Sequence, residues 1–229
     1  MTARTRTKQP IAIWGARGHA LVLLDFLDDA GFVPVVFFDN DVRTRSPLDG
    51  VPIIHGARGF STWAKSHRTK GVAYAVAIGG DRGDDRIAIA KRLVSAGLTP
   101  ATLVHPSAIV SRTATLESGC QVLAGAVVGA KSMIGADAII NTSASVDHEC
   151  IIGRGSHVGP GAVLCGCVEL GERVFVGSGA VVLPRIVIGD DAVVGAGAVV
   201  TKDVKTGTVA VGVPARPSRK TNLAKRVRR

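Results

Sequence analysis

From Val104 to Val200 every sixth residue is Val, Ile or Leu, seventeen times in succession and without a slip. Four residues after each of them comes a small or β-branched side chain, among them Ala108, Cys120, Ser132, Cys150, Ser156, Ala162, Val174 and Ala198. No helix has a period of six, and an ordinary strand shows a period of two. The pattern predicts a three-sided prism of parallel strands. Each hexad gives a short strand and a corner, three hexads close a coil, and one coil of eighteen residues advances the chain by one strand spacing, about 4.8 Å. The large aliphatic points inward and stacks on its equivalent in the next coil, while the small residue fills the tighter corner. A single hexad cannot bury its own apolar side, whereas stacked coils share a continuous core. Glycine, asparagine or aspartate often follows the aliphatic, as at Gly129, Asn141, Asp147 and Gly153. The expected reason is tolerance of a left-handed backbone.

Before Val104 the pattern changes. Short apolar runs at 11–15, 33–38, 51–54 and 72–78 alternate with helical patterns at 19–30, 57–67 and 84–96. Strands alternating with helices predict a small parallel α/β sheet, in which ligands sit at the carboxyl ends of the strands. Three such ends carry suggestive residues: Gly15-Ala-Arg-Gly18-His19, Asp39-Asn40 and Gly79-Gly80. The first is a glycine turn entering a helix, where phosphate can bind at the helix amides or at Arg17. A tight packing turn explains it equally well, since Arg17 occupies the second glycine position of the usual fingerprint. Asp39 is placed to accept a ribose hydroxyl. The chain divides into a Rossmann-like domain at 1–103, a β-helix at 104–215 and a basic tail at 216–229.

Composition narrows the classes further. The net charge of +10 belongs to the two ends: Arg4, Arg6 and Lys8 in the first ten residues, and seven Arg and Lys from Arg216 onward, with no acid in either segment. The body between them is formally neutral, which argues against a nucleic-acid-binding face. There is no run long and apolar enough to span a membrane, and the start of the chain lacks the apolar stretch of a secretory signal. A cytoplasmic location is expected. Cys120 and Cys150 fall on inward positions and are expected to be core thiols, while Cys165 and Cys167 form a C-x-C without evident metal partners.

Chemistry on the prism centres on two histidines. His148 stands in Asp147-His148-Glu149-Cys150, at a corner or outward position, with carboxylates on either side that can orient or charge the ring. His157 follows half a coil later and is expected on a different face. The two could meet only across a contact between prisms, which points to an oligomer. No third histidine accompanies them, so zinc catalysis is not expected.

At these residues the chain resembles the bacterial sialic acid O-acetyltransferase and nucleotide-linked amino-sugar N-acetyltransferase family. The matching stretches are G-A-R-G-H-A at 15–20, F-F-D-N at 37–40, V-A-I-G at 76–79, N-T-S-A-S-V-D-H-E-C-I-I-G at 141–153, S-H-V-G-P-G-A at 156–162 and V-G-V-P-A at 211–215. The resemblance implies a left-handed β-helix, a homotrimer with sites between subunits, and acetyl-CoA as co-substrate without a metal. It implies a UDP- or GDP-linked 4-amino-4,6-dideoxy sugar as acceptor. His148 matches the family's general base, Glu149 the acid that raises its basicity, and His157 a residue near the acetyl thioester. Ser178 and Ala196 match positions that contact CoA. Gly18, His19, Asp39, Asn40 and Gly79 fall on substrate-contacting positions. Arg17, Ala20 and Asn40 depart from the family's usual residues and leave the sugar and nucleotide open. O-acetylation of a sialic-acid-like sugar, and nucleotide-sugar binding without catalysis, are the alternatives.

Overall fold

The structure, a computed structural model, describes residues 8–218. The two basic ends read from the sequence lie largely outside these residues. The chain forms two compact units: one runs to Ile78 and includes Ala88–Ala101, the other combines Gly79–Ile87 with the chain from Thr102 onward.

In the first unit, β1 (Gln9–Trp14), β2 (Phe32–Asp39), β3 (Ile53–His55), β4 (Ala73–Val76) and β5 (Thr99–Pro100) make a parallel sheet in the order β3-β2-β1-β4-β5. The continuous apolar runs of β1 and β4 are buried, as expected for strands covered on both sides. On one face Trp14, Phe38, Phe60 and Trp63 form an aromatic cluster with ring centroids 5.2–6.4 Å apart. Helices α1 (Gly18–Leu24) and α2 (Gly56–Ser66) follow β1 and β3, and α3 (Gly83–Ser95) follows β4. The first helix is shorter than its pattern predicts. Residues 25–30 are turns, and three carboxylates, Asp25, Asp28 and Asp29, crowd its negative end.

The second unit is the predicted prism of parallel strands, the architecture of a left-handed β-helix. Its first face runs from Leu103–Val104 through His157–Val158 to Val209–Val211. The second runs from Ile109–Val110 to Val199–Val200, and the third from Thr115–Leu116 to Val187–Ile188. Up to Val200 each strand pairs with the one eighteen residues away, for example Val146 with Leu164 and Val158 with Val176, and the last coil is shorter, with Val193 paired to Val209. The inward aliphatics from Val122 to Val200 are almost wholly buried, each stabilising the stack by about 1.5–3 kcal/mol relative to exposure. Val104, Val110 and Leu116 are only partly buried, because their coil is the end of the stack.

The corners correct one expectation. The left-handed residue is not the one after the aliphatic but two positions later. Lys131, Asp137, Ser143, Glu149, Cys167, Arg173, Arg185 and Asp191 adopt φ of 56–61° there, and glycine does so at corners such as Gly155 and Gly161. The glycines that follow the aliphatics answer a demand for space. A Cβ at Gly153 would stand 2.2 Å from the carbonyl oxygen of Gly171 in the next coil, and one at Gly129 would stand 2.6 Å from the backbone of Asp147. At Asn141 and Asp147 a side chain is accommodated, and its oxygen accepts the N–H of the next residue at 2.7 Å.

Candidate active site

Asp147-His148-Glu149-Cys150 is the corner between the second and third faces, joining Ser145–Val146 to Ile151–Ile152. Cys150 fills the inward position and is fully buried, whereas the side chains of His148 and Glu149 are 53% and 54% exposed. Glu149 takes the left-handed place at φ 57°, a conformation that costs an L-residue about 1–2 kcal/mol. It brings a carboxylate oxygen to 3.2 Å from His148 Nδ1. With Nδ1–H donated to Glu149, the neutral ring presents the lone pair of Nε2 as a proton acceptor.

The backbone of this corner is tied on both sides. The coil before it supplies Ala130, whose carbonyl accepts the Glu149 N–H at 2.8 Å. The coil after it supplies Cys167, whose N–H donates to the His148 carbonyl at 2.9 Å. Gly166 lies against the imidazole itself. The Cys167 thiol stands one coil beyond Glu149, and its sulfur, a His148 ring nitrogen and a Glu149 oxygen lie within 4.8 Å of one another. These three groups could hold a thiophilic cation. Sequence reasoning left the C-x-C without partners; the spacing of eighteen residues from Glu149 to Cys167 was the signal that links them.

Burial pushes the Cys150 thiol up to about 11 and the Cys120 thiol up to about 12. Neither offers a thiolate near neutral pH, and the Cys150 S–H donates to the Cys165 carbonyl at 3.2 Å.

His157 is on the first face, away from the His148 corner, as its spacing predicts. It is 3% exposed. Its Nδ1 faces the Gly80 N–H at 2.8 Å, its Nε2 faces the Asn141 amide at 2.9 Å, and its ring packs on Phe175. Gly79 begins the segment that makes this contact. The same segment is anchored by the buried Arg86, which donates to the carbonyls of Gly80 and Gly155. Ser178 and Ala196 are exposed, one coil apart, on the corner between the first and second faces. Their stacking is tight: a Cβ at Gly177 would stand 2.5 Å from the Ala196 nitrogen. Within one chain the whole second face separates them from His148.

In the first unit the strand ends gather Arg17, Gly18, His19, Asp39 and Asn40. Gly15 makes the turn at φ 101°, and a Cβ there would stand 2.4 Å from the Ala77 carbonyl oxygen. Asp39 accepts from the N–H groups of Ala16 at 3.1 Å and Asp41 at 2.9 Å, which fixes the loop after β2. Arg17 is exposed and reaches Asp41 at 2.5 Å and Thr44 at 3.0 Å. Arg43 also holds Asp41, and the hydrogen bonds from Arg43 and Arg17 keep its carboxyl well below the usual range. Asp41 and Arg43 were not singled out from the sequence; their place just after Asp39-Asn40 was the available signal.

Residues 10–93 match the model of the PglD N-terminal domain, and residues 167–202 match the bacterial transferase hexapeptide. The chain is similar to PerB from Caulobacter crescentus, whose structure contains CoA and GDP-perosamine. The identity is 37% and the TM-score 0.82, over 91% of this chain and 97% of that one. It is similar to the acetyltransferase domain of PglB from Neisseria gonorrhoeae in complex with acetyl coenzyme A, at 31% identity and a TM-score of 0.81, over 92% of this chain and all of that one. The fold is shared with WeeI from Acinetobacter baumannii, at 23% identity and a TM-score of 0.79.

Proposed function

The chain belongs to the hexapeptide-repeat family of bacterial nucleotide-linked amino-sugar N-acetyltransferases and sialic acid O-acetyltransferases, and we propose that it moves an acetyl group from acetyl-CoA to the amine of a nucleotide-linked amino sugar. The acceptor class is a UDP- or GDP-linked 4-amino-4,6-dideoxy sugar. PerB, with GDP-perosamine bound, supports the GDP form.

The observation that carries the reaction is the His148–Glu149 pair, 3.2 Å apart on an exposed corner. The amine nitrogen bonds to the acetyl carbonyl carbon, and the bond from that carbon to sulfur breaks. His148 Nε2 takes the proton leaving nitrogen and returns it to the CoA thiolate, a general-base contribution of about 10²–10⁴. Glu149 holds the ring in the productive tautomer and stabilises the imidazolium. Holding both substrates in register supplies much of the remaining acceleration. Transfer is direct, because the adjacent thiol, Cys150, is buried and held protonated.

Acetyl-CoA is assigned to the exposed ladder of Ser178 and Ala196, with His157 toward the acetyl end, and no metal takes part. The nucleotide-sugar is assigned to Arg17, Gly18, His19, Asp39, Asn40 and Gly79, in a nucleotide-sugar domain at 1–103 that precedes the catalytic β-helix at 104–215. The Ser178–Ala196 ladder and His148 occupy different edges of one prism, so the assignment calls for a homotrimer that sets one copy's ladder beside another's His148. Outward aliphatics Met133, Ile151 and Val187, 44–49% exposed in the single chain, share the third face with Thr115 and Glu169 and give it apolar area for an interface. Among the described residues no helix is long and apolar enough to cross a membrane. We place the enzyme in the cytoplasm, where acetyl-CoA and nucleotide-sugars are available.

The test is release of CoA thiol from acetyl-CoA with a panel of UDP- and GDP-linked amino sugars and free sialic acids. Turnover with an amino sugar, lowered at least about a hundredfold by His148→Ala, is the expected result. Near-normal turnover of that variant would remove His148 from the role. Reaction only with sialic acids would replace N- by O-acetylation.

A further inference from the structure

We propose that Ser132 is a positioning residue for the His148–Glu149 pair, acting from inside the prism; this rests on the acetyltransferase reading above. Ser132 occupies an inward corner position and is fully buried. Its Oγ–H donates to the Asp147 carbonyl at 2.6 Å, and the same oxygen accepts the Cys150 N–H at 3.1 Å. One hydroxyl thus grips both ends of the four-residue corner that carries the base and its acid. Of the other inward positions on this edge, Cys150 repeats the bond with a thiol, donating to the Cys165 carbonyl at 3.2 Å, while Ala114, Val168, Ile186 and Val204 carry no polar side-chain group.

The consequence is mechanical. His148 and Glu149 are exposed side chains on a left-handed turn, and Asp147 to Cys150 is the frame from which both project. Without the hydroxyl the two ends of that frame lose their common tether, and the Cys150 N–H is left buried and unpaired. A displacement of the order of 1 Å is enough to cost about a hundredfold in a reaction governed by orientation. Ser156 provides an internal control. It is equally buried and makes the equivalent bonds, to the Gly171 carbonyl at 2.8 Å and from the Val174 N–H at 2.9 Å, at a corner without the catalytic pair.

The experiment compares isosteres in the full-length chain. Ser132→Thr keeps the hydroxyl, and Ser132→Val replaces it with a methyl group. The β-branched shape already fits this edge at Val168 and Ile186. Ser156→Thr and Ser156→Val form the matching pair, and Ser132→Ala replaces Ser132→Val if the latter does not fold. Two readouts are taken: kcat with KM for each substrate, and the imidazole signals of His148 by NMR. The expected result is a kcat at least about tenfold lower for Ser132→Val than for Ser132→Thr, with KM values within about twofold. The His148 signals move in Ser132→Val and stay in place in Ser156→Val. Equal kcat in the two Ser132 variants, or His148 signals that shift equally at both sites, overturns the proposal. A wild-type chain that releases no thiol from acetyl-CoA would instead overturn the acetyltransferase reading, while the imidazole signals still decide the role of Ser132.

Discussion

The backbone of Gly166 passes so close to His148 that a Cβ there would stand 2.5 Å from Nε2. The glycine does not take a left-handed conformation, so only the histidine ring calls for the missing side chain. Gly166→Ala is expected to melt within a few degrees of wild type, since alanine removes unfolded-chain entropy at a compatible site and the exposed ring can swing aside. The kcat is expected to fall at least about tenfold because Nε2 is displaced. Thermal denaturation and steady-state kinetics on one preparation check both halves, and unchanged kcat would show that the ring's place is not critical.

Glu149 sets function against backbone comfort. Glu149→Gly removes the left-handed penalty at φ 57° and is expected to leave stability equal or slightly raised, by up to about 1 kcal/mol. Turnover is expected to drop at least about tenfold, since Nδ1 of His148 loses its acceptor. Glu149→Gln keeps an acceptor oxygen and is expected to retain more activity than Glu149→Gly. The order of the two variants in kcat is the deciding measurement.

Cys150 contributes stability with a defined sign. Its pKa is raised from 9.0 to about 11 by burial, so the folded state prefers the protonated thiol. That contribution is complete below the unfolded value and is lost as pH rises through about 11. Urea titrations should show wild type losing more stability than Cys150→Ala between these pH values. Incubation with acetyl-CoA alone should leave no acetyl group on the protein by mass spectrometry, and an acetylated cysteine would contradict direct transfer.

A thiophilic divalent cation is expected to inhibit the enzyme reversibly. Zinc can draw on His148, Glu149 and Cys167, whose donor atoms lie within 4.8 Å of one another, and a captured imidazole cannot accept a proton. Chelator should restore activity, and Cys167→Ser should raise the inhibitory concentration by about tenfold or more. Equal inhibition of wild type and Cys167→Ser would place the effect elsewhere.

Much of the prism was legible because its period is a counting problem. Once three hexads make a coil, every inward position from Val122 to Val200 and the corner position of His148 follow from numbering alone. What the period hid was the cause of the glycines. Gly129 and Gly153 were taken for left-handed residues, whereas the left-handed places hold Lys131, Glu149 and Cys167, and the glycines clear space for the next coil. That demand arises only after coils stack, so no local preference records it. The link of Gly166, Cys167 and Ser132 to the His148 corner escaped notice for the same reason: each reaches that corner across a coil, through contacts one full turn away in sequence. In the first unit the alternation of strands and helices was readable. The Arg17–Asp41–Arg43 cluster was not, because it depends on how the loop after β2 folds back on the turn after β1.

The eighteen-residue coil also makes the molecule a ruler. Duplicating one whole coil between Cys150 and Gly177 would keep every side chain on its own edge. It would raise the Ser178–Ala196 ladder by one strand spacing, about 4.8 Å, relative to His148. A substrate whose two ends engage those two heights has a fixed span, so the graded series of zero, one and two added coils would measure how far its flexible arm can stretch before acetyl and base part company.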